Sequence, residues 1–438
     1  MSRRRIQAES VRDARAGRQN GDAPASTDRG RYLSDACDLL WPYPATIAFD
    51  GAASGWTRAP AAVHTPDAAQ ASCSEFILLL GTRRPRLLVP TMRAAGAVAV
   101  RSYGEPKSRA GRLGVRLLSF ALASGIGGAV FRSRVRVSAP PGTDTIEAFL
   151  RNVLGRDILL SLYLGVARAN RKPVLQLLTP QGQPLGFAKI GVNSLTTALV
   201  HAEHEALIRL GQAGLREVMV PRVLHYGEWR GMNVLVISTL PVWHRRRPVT
   251  KARLAAAMNS VARLGGTHRE PLAASRYWQR LTDRLAAAEP SADRDALLSA
   301  LSALGARAGD TPLVLGCWHG DWTPWNMVST RVGLLVWDWE RFTDDVPLGF
   351  DALHYSLQRD VLAARRNPRD AAGDCVEDAP NLLAPFGIEA RDARLTAVLY
   401  LADLATRYLA DRQAQAGARR GAAGTWLIPA ITDQLERL

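Results

Sequence analysis

Read by its apolar spacing, the chain begins with a stretch that has almost no large hydrophobic side chains. Residues 1–31 are mostly Arg, Ala, Gly, Asp and Ser. They bury too little surface to offset the entropy of ordering, which predicts a disordered basic tail. Residues 32–74 mix Trp41, Tyr43 and Trp56 with Ala, Pro and Gly and predict no distinct element. From Glu75 the pattern sharpens. Apolar runs at 76–80 and 87–89, split by Gly- and Pro-containing residues, predict a hairpin, and 92–103 an Ala-rich helix. Residues 117–131 are uncharged, with Arg109, Arg112 and Arg116 before them and Arg132, Arg134 and Arg136 after. The run is too short to span a bilayer. An in-plane membrane contact with basic flanks is one reading, and a buried helix of an accessory domain is the preferred one.

Pro140-Pro141-Gly142 punctuates the chain and marks the expected boundary between an accessory domain, 32–142, and a second region of the chain. Asp144 and Glu147 have capping-box spacing ahead of an apolar face formed by Ile146, Phe149, Leu150, Val153 and Leu154. Strands are predicted at 158–164, 174–178 and 185–190, a helix at 197–211, and further strands at 220–226 and 234–238. Beyond residue 250 the period becomes helical at 254–264, 277–288, 295–304, 352–364, 395–410 and 426–438, with a hairpin set among these helices. A β-rich part at 143–240 and a helical part at 241–438 give an α+β class with two lobes and a cleft.

Composition changes this picture little, except for charge. The 438 residues, 47% hydrophobic and 22% charged, describe a globular protein with ample core. The formal charge is +16, and residues 1–150 hold 21 Lys/Arg against 12 Asp/Glu. Such a balance favours polyanions, a membrane surface or acidic metabolites, or simply keeps the chain soluble. No aromatic-interleaved basic motif accompanies it, so nucleic acid is not an expected partner. Cys37, Cys73, Cys317 and Cys375 are scattered, which argues against a zinc site or disulfide framework and fits a reducing cytoplasm. The basic N-terminus lacks the apolar run of a signal peptide.

The candidate chemistry lies at residues 319–326, His-Gly-Asp-Trp-Thr-Pro-Trp-Asn, succeeded by the hairpin and Asp338-Trp339-Glu340. Phosphoryl transfer needs a carboxylate to orient the attacking hydroxyl and oxygen ligands to hold Mg²⁺ against nucleotide phosphates. Asp321 suits the first task, and Asn326 with Asp338 the second. Upstream, Lys189 lies on a strand between apolar neighbours, so its ammonium points out of the core. The helix after it carries Glu203 and Glu205, either of which can pair with the lysine.

The interval from Asp321 to Asn326 equals that of the protein-kinase catalytic loop, but Gly320 replaces its Arg and Asp-Trp-Glu replaces Asp-Phe-Gly. These departures resemble the aminoglycoside phosphotransferase and choline kinase branch of the protein-kinase-like fold, over residues 143–438. The resemblance implies an ATP- and Mg²⁺-dependent kinase acting on a hydroxyl of a small molecule. It makes Asp321 the catalytic carboxylate, with His319 fixing its loop, and Asn326 and Asp338 the metal ligands. Lys189, braced by Glu203, would bind phosphate. The loop at 165–173 would cover the phosphates, with Arg168, Asn170, Arg171 and Lys172 as donors or as solvated loop residues. Thr239 and Leu240 would offer backbone to the adenine edge, and Asp351 would brace the catalytic segment. His268 and His354 are expected to be packed on helical faces. A protein kinase ranks lower because no Asp-Phe-Gly to Ala-Pro-Glu segment is present, and a catalytically silent nucleotide-binding scaffold, membrane- or polyanion-associated, is the reading from another class. Aminoglycosides would want an acidic cleft, which Glu340, Asp344 and Asp345 alone do little to supply.

Overall fold

The computed structural model describes residues 23–50, 72–79, 87–102, 109–418 and 421–437. They form two compact units, one ending at Ala167 but including Pro173–Gly186, the other made of Arg168–Lys172 and Phe187–Leu438. The class is α+β.

The first unit opens with helix α1 (Ala23–Leu40). Residues 23–31 of the expected tail are therefore helical, while 1–22 lie outside the described residues. The reason is local: Leu33, Ala36, Cys37 and Leu40 recur at helical spacing and are all buried, which anchors the helix from its C-terminal half. Strands β1 (Thr46–Asp50), β2 (Ser72–Leu79) and β3 (Leu87–Pro90) come next. β2 and β3 make the expected antiparallel pair, with Phe76 opposite Pro90 and Leu79 opposite Leu87. Then come α2 (Arg93–Ser102), α3 (Arg109–Ser124), the short α4 (Ile126–Val130), β4 (Arg134–Ala139) and α5 (Ile146–Leu154). The cap of α5 is Thr145, whose hydroxyl accepts the Ala148 N–H at 3.2 Å, rather than Asp144. Glu147 turns inward and accepts the Trp41 indole N–H.

Strands β5 (Leu159–Tyr163) and β6 (Val174–Leu178) correct the expected boundary at residue 142. β5 pairs with β3 and β6 with β5, giving the order β1-β4-β2-β3-β5-β6. An open edge on β3 is completed by the next available strand, so the strands after 142 join the accessory sheet. The preferred reading of 117–131 as a buried helix also needs correction. Ser119 and Leu122 face inward, with the Ser119 hydroxyl donating to the Ala97 carbonyl, yet Leu117, Phe120, Ile126 and Val130 are 57–67% exposed. α3 has two apolar faces, and α2 packs on only one of them. No helix among the described residues is long and apolar enough to cross a membrane.

Strand β7 (Pro184–Ile190) leads into the second unit, where its end joins β10 (Met232–Ser238) and β9 (Val223–Trp229) in the order β7-β10-β9. Between them lie α6 (Ser194–Ala213), started by a capping box of Asn193 and Thr196, and β8 (Val218–Met219). Next come α7 (Lys251–Ala262), β11 (His268–Pro271), α8 (Arg276–Ala286), α9 (Ala292–Ala308) and β12 (Pro312–Trp318). His268 therefore lies on a strand, half-exposed, and not on a helical face as expected. The hairpin is β13 (Met327–Thr330) with β14 (Gly333–Val336), paired to β8; β15 (Thr343–Pro347) pairs with β12. The chain ends in α10 (Phe350–Gln358), α11 (Pro368–Glu377), α12 (Ala379–Leu383), α13 (Ala390–Ala410) and α14 (Leu427–Leu435). One core gathers around α13. A second joins α6 and β10 to the hairpin through Leu207, Leu235, Met258, Trp322, Val336 and Trp339.

Candidate active site

The segment after β12 is fixed from several sides. Trp322 and Trp339 are fully buried in the second core, and each indole N–H has a partner, the Met327 sulfur at 3.3 Å and the Val336 carbonyl at 3.0 Å. Gly320 has φ +80°, and a side chain there would run into the Arg341 carbonyl oxygen. Glycine is thus required where a protein kinase has Arg. A guanidinium arrives from elsewhere: Arg407, on α13, donates to the Gly320 carbonyl at 2.6 Å and lies 4.9 Å from the Trp318 ring. Asp351 accepts the His319 and Gly320 backbone N–H groups at 2.7 and 3.2 Å. Burial pushes its carboxyl up to about 7 against the pull of those two donors.

His319 is completely buried and bridges the segment to the hairpin. Its Nδ1 accepts the Asp321 N–H at 3.1 Å, and its Nε2 donates to the Trp337 carbonyl at 3.0 Å. Burial lowers the imidazole to about 4, so it stays neutral at physiological pH. Both ring nitrogens are committed to backbone, an arrangement that positions rather than reacts. Asp321 keeps a partly exposed carboxylate. Its Oδ2 accepts from Asn326 Nδ2 at 2.9 Å, and its Oδ1 from His354 Nε2 at 3.1 Å. Burial raises this carboxyl, but the His354 hydrogen bond and charge outweigh it and hold it below the usual range. His354 is packed as expected, yet it also touches Asp321, a contact the sequence pattern does not reveal. It is held from behind by the Tyr400 hydroxyl at 3.0 Å.

Lys189 and Glu203 meet because β7 and α6 approach closely. Gly191 at the end of β7 allows this, since a Cβ there would sit 2.6 Å from Thr197 Cα. The Lys189 ammonium lies 2.7 Å from both Glu203 carboxylate oxygens and 2.5 Å from Asp338 Oδ1. Burial lowers its pKa, but the Asp338 and Glu203 carboxylates outweigh that and keep it protonated. Glu205 is exposed and pairs with His204, not with Lys189. Asp338 adopts φ +66°, a left-handed conformation that non-glycine residues rarely take and that recurs at functional sites.

The loop residues divide. Arg168 is exposed. Asn170 donates to Glu340 Oε1 at 3.1 Å, and Lys172 forms a buried ion pair with Glu340 Oε2. Burial raises the Glu340 carboxyl, but Lys172 and Lys189 outweigh it and hold it at about 2. Lys172 is therefore a buried partner of Asp-Trp-Glu and not a solvated loop lysine. Thr239 and Leu240 lie just past β10, and the Leu240 carbonyl accepts the Val242 N–H at 2.8 Å. Glu340, His354 and Arg407 are not singled out by the sequence as parts of the site, and Lys172 enters only as a possible phosphate donor. A Lys in the loop and a Glu closing Asp-Trp-Glu are visible there, but not their pairing.

The donor set fits Mg²⁺, a hard cation that takes oxygen ligands. Asn326 spends its Nδ2 on Asp321, so its Oδ1 has no partner among the described residues, and Asp338 Oδ2 is likewise uncommitted. Asn326 closes the segment after β12, and Asp338, which Lys189 contacts, lies just past the hairpin.

A family model, the phosphotransferase enzyme family, matches residues 187–349. No curated protein matches the chain. Among solved structures, a thermostable mutant of aminoglycoside phosphotransferase APH(4)-Ia in ternary complex with ADP and hygromycin B is 16% identical, with TM-score 0.43, over 66% of this chain and 98% of that one. The choline kinase LicA from Streptococcus pneumoniae is 13% identical, with TM-score 0.45, over 67% and 98%. APH(3'')-Id from Streptomyces rimosus, in complex with ADP and streptomycin, is 18% identical, with TM-score 0.33, over 53% and 90%.

Proposed function

We propose that this chain, whose residues 187–349 match the phosphotransferase enzyme family, is a kinase that moves the ATP γ-phosphoryl group to a hydroxyl of a small molecule. The observation that carries the reading is the Lys189 ammonium held between Glu203, at 2.7 Å, and Asp338, at 2.5 Å. It joins a strand lysine upstream to the residue that follows the hairpin beyond Asp321 and Asn326. Phosphoryl transfer depends on placement and charge far more than on covalent help from the protein. Lys189, braced by Glu203, binds phosphate oxygens and neutralises their charge. Asp321, ionised and oriented by Asn326 and His354, accepts a hydrogen bond from the acceptor hydroxyl and takes its proton as the acceptor oxygen bonds to the γ-phosphorus and the bond from that phosphorus to the departing ADP breaks. His319, Asp351 and Arg407 fix the backbone that carries Asp321. Asn326 and Asp338 would hold Mg²⁺, which would supply charge neutralisation at the phosphates. Thr239 and Leu240 lie where the backbone meets the adenine edge, and Arg168 and Asn170 border the phosphates.

The test is Mg²⁺-dependent ADP release across a panel of alcohols, sugars and aminoglycosides, with the phosphorylated product identified by mass. At least one acceptor should raise ADP release in the wild type, and Asp321→Asn should lower that turnover by about 10²–10⁴-fold while sparing ATP binding. Normal turnover in that variant would defeat the assignment.

A further inference from the structure

Helix α6 turns Glu203 toward the core. On an outward face of the same turns it carries His201, His204 and Glu205. Positions i, i+3 and i+4 share a helix surface, and here one ligand atom from each residue lies within 4.8 Å of the other two. Two observations separate this cluster from a chance grouping of surface side chains. The first is outer support. The His204 ring stacks on Tyr226 at 4.1 Å and 7°, and His201 Nδ1 lies 2.9 Å from the Tyr226 hydroxyl. That hydroxyl oxygen also accepts from Asn233 Nδ2 at 3.0 Å, which holds the phenol against the His201 ring. In the tautomer whose Nδ1–H donates to the hydroxyl, His201 Nε2 is a lone pair, the arrangement in which proteins hold an imidazole that binds metal.

The second observation is a close approach. His204 Nδ1 is buried and stands 3.1 Å from Glu205 Oε1, without hydrogen-bond geometry between them. Two ligand atoms bonded to one tetrahedral zinc at about 2.0–2.1 Å lie roughly 3.3 Å apart, so this nitrogen and oxygen are already near the separation a shared ion imposes. Two imidazoles and one carboxylate suit a zinc-class ion better than Mg²⁺ or Ca²⁺, which prefer all-oxygen sets.

We propose that His201, His204 and Glu205 bind one divalent transition-metal ion of the zinc class, with Tyr226 as the outer support and water in the remaining position. The site is separate from the oxygen set at Asn326 and Asp338, and it stands whether or not the chain transfers phosphate. A bound ion ties one turn of α6 to itself and steadies the helix that presents Glu203 to Lys189.

The experiment uses the full chain without a polyhistidine tag, stripped with chelator and titrated with Zn²⁺ by calorimetry in excess Mg²⁺. The wild type should take up one more equivalent than the His201→Gln/His204→Gln double variant, and its thermal midpoint should rise with Zn²⁺ while that of the double variant does not. Tyr226→Phe should weaken the same equivalent by about tenfold or more. Equal uptake with equal affinity in wild type and double variant overturns the proposal. If the double variant has lost its far-ultraviolet dichroism, Glu205→Gln, at an exposed position, gives the same comparison: weaker uptake supports the site, and unchanged uptake overturns it.

Discussion

Replacing Lys189 with Met removes a buried ammonium from between two carboxylates of very different exposure. Glu203 is 0% exposed, so the substitution leaves an uncompensated charge in the core, whereas the Asp338 side chain is 41% exposed and can be rehydrated. Breaking a buried ion pair from one side costs about 3–5 kcal/mol, and a partly exposed pair contributes about 0–1 kcal/mol. Lys189→Met should therefore destabilise the second unit by about 3–5 kcal/mol, nearly all of it through Glu203. The companion variant Lys189→Met/Glu203→Met replaces the pair with apolar groups and should recover most of that loss. Urea unfolding followed by tryptophan fluorescence suits the comparison, because Trp322 and Trp339 sit in the core that holds α6 against the hairpin. With two compact units in the chain, the transition to compare is the one that reports these tryptophans. A single variant within about 1 kcal/mol of wild type, or a double variant as unstable as the single, would mean that Lys189 does not compensate a buried Glu203 charge.

Gly320→Ala should cost about 1–2 kcal/mol for the left-handed backbone alone, with more from the collision with the Arg341 carbonyl, and should abolish turnover; denaturant midpoints and ADP release check both. The Glu340 carboxyl is depressed to about 2 by Lys172 and Lys189, so its contribution to stability is complete above the unfolded value near 4.5 and is lost as pH falls toward 2. Glu340→Gln should remove about 3 kcal/mol of acid-sensitive stability, flattening the thermal midpoint between about pH 5 and pH 2 relative to wild type. His354→Phe deletes the donor that lowers the Asp321 carboxyl, so the acidic limb of kcat/KM should move to higher pH; an unmoved limb would remove His354 from the description of the site.

Much of this architecture is legible in the sequence because it rests on local spacing. The hairpin between Asn326 and Asp338, the Lys189 strand and the helix with Glu203 on its apolar face all arise from periods of two and 3.6 residues. The parts that escape depend on long-range partners. Arg407 reaches Gly320 across 87 residues and Lys172 reaches Glu340 across 168, and no periodic pattern encodes such pairings. The boundary at residue 142 fails for the same reason: a Pro-Pro-Gly turn marks a bend in the chain, but which sheet the next strand joins depends on the edge that β3 leaves open. For 117–131 the apolar content is plain from the sequence and the exposure is not. Hydrophobic count says that a face is apolar, not that anything covers it.

Calorimetric titration of ATP into the wild type and into Asp338→Asn, with and without Mg²⁺, decides whether these residues form a magnesium-nucleotide site. The arrangement of Lys189, Asn326 and Asp338 predicts binding by the wild type that strengthens with Mg²⁺, and loss of that strengthening in the variant. Equal ATP affinity in both proteins, indifferent to Mg²⁺, would contradict it.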